Sequence, residues 1–170
     1  MNLPQKNTKK NFPNDEVLVC DAHKFLEENY GDFDFIWSSP PCPTHSIVRL
    51  TSIGAGSAKP VYPDMTLYQE IIFLKKFATK GLKWVVENVK PYYEPLIAPS
   101  AILQRHFYWS NFIISNYVEI DNRKHNDIAG NSIVYDFDVS KSNIKDKRKA
   151  LRNLVNPKLG KHILDCALKF

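Results

Sequence analysis

Short apolar runs separated by polar or amphipathic stretches are the feature of this sequence that most constrains its fold. The runs cover residues 16–20, 33–38 and 82–86, and each has the length of a buried strand. Residues 22–29, between the first two runs, are predicted to form a short helix that begins after Asp21. This order of strand, helix and strand predicts an α/β fold with a parallel sheet.

Two longer helices are predicted from apolar residues that recur every three or four positions. The first follows Asp64 and ends at Gly81, and the second begins at Asn156-Pro157, an N-cap residue followed by a proline. Their predicted inward faces are Leu67, Ile71, Leu74 and Ala78 in the first helix and Leu159, Ile163, Cys166 and Ala167 in the second. Residues 43–63 are expected to form a loop, and residues 107–114 are expected to pair with residues 117–120 in a hairpin.

Composition favours a single domain in a reducing compartment. The 170 residues suffice for one domain, which we assign to residues 16–170 after a polar arm at residues 1–15. No apolar run reaches the roughly 20 residues of a membrane helix, and the arm lacks the apolar centre of a signal peptide. The 3 cysteines suggest no disulfide framework, so a cytoplasmic location is expected. The net charge of +5 favours a polyanionic partner.

Cys42 is the first candidate for chemistry, because it follows an apolar strand and has prolines on both sides. Open α/β sheets bind ligands at the carboxyl ends of their strands, and a thiolate held there is a nucleophile. A lone cysteine is also often a small buried apolar residue, which is the simpler interpretation of Cys20 and Cys166. The spacing of Cys42 and His45 is that of half a zinc site, but no second pair completes it, so no metal is expected.

Glu87 is the second candidate, because it directly follows the apolar run at residues 82–86. Partial burial at the end of a strand raises the pKa of a carboxyl group. Such a group can donate a proton near neutral pH. The alternative without chemistry is a helix cap or a surface position.

Together, Pro40-Pro41-Cys42 after one strand and Glu87-Asn88-Val89 after the next resemble the cytosine-5 DNA methyltransferase family. The resemblance implies that Cys42 adds to C6 of a cytosine and that Glu87 holds and protonates N3. It implies a Rossmann-like enzyme, similar to the small phage-type and restriction–modification members, that moves a methyl group from S-adenosylmethionine to C5 in double-stranded DNA. The target base has to leave the base stack to reach such a pocket.

Other positions take their roles from the resemblance alone. Residues 152–163 match the late motif of the family, and Gln104-Arg105-His106-Phe107 matches a shortened Gln-x-Arg-x-Arg segment, which makes Arg105 a third catalytic residue. The implied contacts to S-adenosylmethionine are Asp21, Ala22, Ser39, Pro40, Asn153 and Val155. The implied contacts to DNA are Ser46, Arg49, Lys147, Arg148 and Lys149. The last three belong to a basic run whose alternative is a solvated face.

The N-terminal part of the chain departs from the family pattern. The family begins with a strand and a Phe-x-Gly-x-Gly loop for the cofactor, followed by a strand with an acid for the ribose, and neither is present here. We therefore expect an incomplete methyltransferase sheet, which either repacks or is completed by a second polypeptide that supplies the missing strands. Residues 111–147 would be a much reduced DNA-recognition insert. The alternative function is an inactive DNA-binding remnant, or a subunit that needs a partner chain for cofactor binding.

Overall fold

The computed structural model describes residues 12–118 and 155–169, which form an α/β structure. Its elements, in chain order, are α1 (Ala22–Asn29), β1 (Phe35–Ser38), α2 (Val48–Gly54), α3 (Thr66–Phe77), β2 (Lys83–Val89), β3 (Ala101–Leu103), β4 (His106–Ser110) and α4 (Pro157–Leu168). The predicted α/β class is therefore confirmed.

The strands of the described residues form a mixed sheet in the order β1-β2-β4-β3. β1 and β2 are parallel, with Ser38 beside Val86, whereas the other two pairs are antiparallel. The parallel pairing expected from the sequence holds for β1 and β2. β3 and β4 are antiparallel, because a two-residue turn joins them and only antiparallel strands can be joined so tightly. The parallel pair brings the carboxyl ends of β1 and β2 to one edge of the sheet, which is where open α/β sheets bind ligands.

One face of the sheet packs against α3. Ile36 of β1 and Trp84 and Val86 of β2 alternate with residues of the other face, as the pleat of a strand requires. The buried cluster on this side consists of Ile36, Leu67, Tyr68, Ile71, Leu74, Leu82, Trp84, Val86, Phe107 and Trp109. The predicted inward residues Leu67, Ile71 and Leu74 are therefore confirmed. Ala78 is only partly buried and follows the helix, which ends at Phe77 and not at Gly81.

The opposite face carries an acidic residue among aromatic rings. Glu87 shares this face with Tyr108, its partner across the β2–β4 pair, and with Trp37 of β1. Tyr108 is 0% exposed, and its ring meets Trp37 edge-on with 6.2 Å between the centroids. Aromatic side chains therefore replace much of the water that would otherwise surround the Glu87 carboxyl group.

The strand predicted at residues 16–20 does not form, and that prediction is wrong. The segment has no regular secondary structure, and Leu18 and Val19 are 55% and 57% exposed. An apolar run becomes a strand only where a neighbouring strand completes its hydrogen bonds. No strand among the described residues pairs with this segment.

Two other predictions of local structure are also corrected. The loop expected at residues 43–63 contains α2, which is followed by Gly56 in a left-handed conformation with φ of 71°. The hairpin partner of β4 is β3 and not residues 117–120. Of the latter, residues 119–120 lie outside the described residues. The turn between β3 and β4 places Gln104 at φ of 54°, a left-handed conformation that is uncommon for a residue other than glycine.

The described residues divide into two compact units, one of residues 21–117 and 165–169 and the other of residues 12–20, 118 and 155–164. α4 begins as predicted, with the N–H of Lys158 donating to Oδ1 of Asn156 at 2.9 Å. The residues predicted to face inward are all buried, namely Leu159, Ile163, Cys166 and Ala167. This confirms that helix and its apolar face.

Candidate active site

The segment after β1 is tied to the end of β2 by a buried side chain. Asn88 is 2% exposed, and its Nδ2 donates a hydrogen bond to the carbonyl of Pro40 at 2.9 Å. Its Oδ1 accepts from the N–H of Val89 at 3.0 Å, which holds the amide in one orientation. Pro40 itself is buried. Cys42 therefore lies two residues after a position that is hydrogen-bonded to β2.

His45 holds the loop on the other side of Cys42. The N–H of His45 donates to the carbonyl of Cys42 at 3.0 Å, and Tyr92 donates its N–H to the carbonyl of His45, also at 3.0 Å. Nδ1 of His45, which is 0% exposed, lies 2.5 Å from the hydroxyl of Tyr93. Burial lowers the pKa of His45 in spite of the nearby Asp64, so the ring is neutral at neutral pH. The half-buried Cys42 is thus presented on a loop that is anchored at both sides.

Glu87 lies inside β2, and its buried carboxyl group contacts Ser39 at the start of the segment 39–46, which we call the Cys42 loop. Its Oε2 accepts a hydrogen bond from the hydroxyl of Ser39 at 2.8 Å, and Oε1 lies 3.4 Å from Nε2 of His106. Burial raises the pKa of Glu87, and the hydrogen bond from Ser39 offsets only part of that rise. The carboxyl group therefore keeps its proton to a higher pH than an exposed glutamate, in the direction that the sequence predicted.

Sequence reasoning missed His106 and Tyr108, which lie on the same face of the sheet as Glu87. Among the described residues, the buried hydroxyl of Tyr108 has no hydrogen-bond partner. Burial, with a smaller contribution from Glu87, raises the pKa of this phenol, so it stays protonated. The missed signal is the alternation of side chains along β4. His106 and Tyr108 lie two and four positions after Gln104, which are the positions of the two arginines in the Gln-x-Arg-x-Arg segment, so they share one face of the strand.

Arg105, predicted as the third catalytic residue, lies in the turn between β3 and β4. Its carbonyl accepts a hydrogen bond from the N–H of Lys90 at 3.0 Å, and its side chain is exposed. His106, the next residue, is the one within ion-pair distance of Glu87. The role of Arg105 stays a prediction.

The residues assigned to S-adenosylmethionine have structural roles of their own. Asp21 caps α1 by accepting from the N–H groups of His23 and Lys24, and Ala22 is the first residue of that helix. Ser39 holds Glu87. Val155 is half-buried, and Asn153 lies outside the described residues.

The described residues do not by themselves fit that cofactor. A glycine turn between a strand and a helix would let the backbone approach the ligand. The described glycines lie elsewhere: Gly31 between α1 and β1, Gly54 and Gly56 at the end of α2, Gly81 before β2 and Gly160 within α4. In addition, Oδ1 of Asp21 is already used by the helix cap.

The residues assigned to DNA are only partly described. Ser46 accepts a hydrogen bond from the N–H of Val48 at 3.3 Å. Arg49 donates from Nη2 to the carbonyl of Lys59 at 2.8 Å, so it joins the start of α2 to the chain that follows that helix. Lys147, Arg148 and Lys149 lie outside the described residues, as does most of the 111–147 insert.

Within residues 12–118 and 155–169, no group of three or more His, Cys, Asp or Glu side chains is arranged to hold a metal ion. In the same ranges, no helix has the length and apolar character needed to cross a membrane. Cys20 is exposed and Cys166 is buried. Cys42 is half-buried, and it lies three residues after Ser39, whose hydroxyl donates a hydrogen bond to Glu87.

No protein-family model matches this chain, and neither a curated protein nor a solved structure matches it. Any assignment of function therefore depends on the residues and on their geometry.

Proposed function

We propose that this protein activates cytosine in DNA by adding the Cys42 thiolate to C6 while Glu87 protonates N3, as the base-activating part of a cytosine-5 DNA methyltransferase. The observation that carries the proposal is a buried carboxyl group that is hydrogen-bonded to the same segment that carries the anchored thiol. Ser39 and Asn88 join the two elements, through hydrogen bonds of 2.8 and 2.9 Å.

The chemistry requires these two groups to act together. Formation of the Sγ–C6 bond moves the C5=C6 electron pair to C4–C5 and the C4=N3 pair to N3, which takes the proton of Glu87. The carbon at C5 then belongs to an enamine and is nucleophilic. An ordinary glutamate would be ionised at neutral pH, but burial raises the pKa of Glu87 and favours the form that can donate.

The methyl donor is the incomplete part of the proposed reaction. S-adenosylmethionine supplies the methyl group in the family that the motifs resemble, but the described residues do not fit it alone. We propose that a second polypeptide supplies the missing strands and completes the cofactor site. DNA as the substrate agrees with the net charge of +5.

The nucleophile can be tested without the methyl donor by using duplex DNA that carries pyrimidin-2-one in place of cytosine. This base lacks the electron-donating amino group at C4, so its C6 accepts a thiolate readily and the adduct persists. We expect wild-type protein to form an adduct that peptide mapping assigns to Cys42. Cys42→Ser should abolish it, whereas Cys20→Ser, which removes an exposed thiol, should not. Wild-type protein that forms no adduct, or one on Cys20, would contradict the proposal.

The methyl transfer itself needs a second experiment. DNA with 5-fluorocytosine traps the methylated intermediate, because fluorine at C5 cannot leave as a proton does. We expect trapping with S-adenosylmethionine only after a partner chain with a Phe-x-Gly-x-Gly loop is added.

The lack of a glycine turn at a described strand end favours the second candidate, a DNA-binding remnant. Calorimetric titration with S-adenosylmethionine separates the two candidates, since a remnant would bind neither alone nor with the partner.

A further inference from the structure

The environment of the Glu87 carboxyl group leads to an inference that rests on the proposed function. We propose that His106 carries the proton between solvent and Glu87, and so acts through Glu87 on the substrate base. His106 Nε2 lies 3.4 Å from Glu87 Oε1, and the His106 side chain is 18% exposed while that of Glu87 is 9% exposed. The imidazole is therefore the more exposed member of the pair and is in contact with solvent.

Formation of the adduct consumes one proton at N3. Wherever the pH leaves Glu87 ionised, that proton has to enter the buried site from solvent before or during addition of the thiolate. A base that fills the pocket would cover Glu87 further and would make direct access by water harder. A group that gains and loses protons near neutral pH is then needed at the boundary, and histidine is the side chain suited to this task.

The other neighbours of Glu87 cannot carry out this step. The Ser39 hydroxyl donates to Oε2 but has no proton to release at neutral pH. Tyr108 is buried, and its raised pKa keeps its proton in place. Trp37 of β1 does not titrate, and β3 contributes only Ala101, Ile102 and Leu103. The charged residues next to the start of β4, Lys90 and Arg105, are both exposed.

Each proton that reaches N3 passes from His106 to Glu87 and then to the base. The imidazolium of His106 gives its Nε2 proton to Oε1 of Glu87, which leaves a neutral ring protonated at Nδ1. Glu87 then gives a proton to N3 as the Sγ–C6 bond forms, and solvent returns a proton to the ring. The separation of 3.4 Å exceeds the usual 2.7–2.9 Å of a charged hydrogen bond, so the two side chains have to approach by about half an ångström.

The test is the rate of adduct formation with the pyrimidin-2-one duplex at several pH values, in wild type and in His106→Asn. We expect the variant to be slower by about 100-fold near pH 8, which is the lower end of the rate enhancement that general acid–base catalysis provides. We expect a much smaller loss near pH 5.5, since the raised pKa of Glu87 leaves more of it protonated there. Added imidazole should restore much of the rate near pH 8, because it can carry the proton in place of the missing ring.

His23→Asn is the matched control, because His23 Nδ1 lies 3.1 Å from Glu70 Oε1 in another histidine–glutamate pair, on the helix-covered side of the sheet. This variant should keep the wild-type pH profile. A loss in His106→Asn that is equal at every pH and is not restored by imidazole would overturn the relay, as would an unchanged profile. Failure of the wild type to form any Cys42 adduct would overturn the proposed function and this inference with it.

Discussion

Replacing Asn88 with alanine removes the side chain that joins the Cys42 loop to β2. The hydrogen bond from Nδ2 to the Pro40 carbonyl is 2.9 Å long, and the amide is 2% exposed. Alanine leaves the carbonyl of a buried proline without its donor, and an orphaned buried acceptor costs about 1–3 kcal/mol. With a urea m-value of about 2 kcal/mol/M, the unfolding midpoint should fall by roughly 1 M.

The same substitution should slow adduct formation at Cys42. The loop keeps its anchor at His45 but loses the one at Pro40, so the thiol is no longer held in one position. A misplacement of about 1 Å can cost roughly 100-fold in rate. The rate should be measured with the pyrimidin-2-one duplex in the absence of urea, so that the variant is folded.

Asn111→Ala provides the control for this prediction. Asn111 also makes two hydrogen bonds to the main chain, accepting from Trp84 N–H at 2.9 Å and donating to the Leu82 carbonyl at 2.8 Å, but at the start of β2. It is exposed, so water can replace part of what is lost. The free energy of unfolding should fall less in Asn111→Ala than in Asn88→Ala, and the rate of adduct formation in Asn111→Ala should equal that of wild type. If Asn88→Ala reacts as fast as Asn111→Ala, Asn88 does not position Cys42.

Two further predictions concern stability. Because burial raises the pKa of Glu87, the folded state binds the carboxyl proton more tightly than the unfolded state does. The stability that this proton contributes is present below the pKa of the unfolded state and is lost as the pH rises through the pKa of the folded state. Glu87→Gln should therefore match wild type in free energy of unfolding near pH 4 and exceed it increasingly toward pH 8 in urea titrations; a constant difference would refute this. Leu74→Ala, at a residue that is 0% exposed, should cost about 2–5 kcal/mol, whereas Ile72→Ala, 59% exposed on the same helix, should cost less than about 0.5 kcal/mol. Equal thermal shifts for these two variants would contradict the orientation of α3.

Three of the four described helices, α1, α3 and α4, were predictable from the sequence because their pattern is local, whereas α2 was expected to be loop. The spacing of Leu67, Ile71 and Leu74 defines one face of α3, and all three are buried as predicted. Asn156 and Pro157 likewise mark the start of α4. A helix completes its hydrogen bonds within its own segment, so the sequence of that segment is sufficient.

Strands were predicted less well, because a strand depends on a distant neighbour. Residues 33–38 contain β1 and residues 82–86 contain the first half of β2, and these two strands pair with each other, whereas the equally apolar residues 16–20 form no strand. The partner of β4 was misplaced for the same reason, since the sequence does not state which segments pair. Whether another segment pairs with an apolar run cannot be read from the run itself.

By itself, the sequence determined which groups are available for chemistry: a thiol and an acid, each next to the end of an apolar strand. Only the tertiary structure decided how they are held. The antiparallel pairing of β2 and β4 brings His106 and Tyr108 to the side of Glu87, and the Asn88 amide joins the Cys42 loop to the same strand. The physical reason is that burial and register depend on contacts between segments far apart in the chain, and these contacts set the pKa of Glu87.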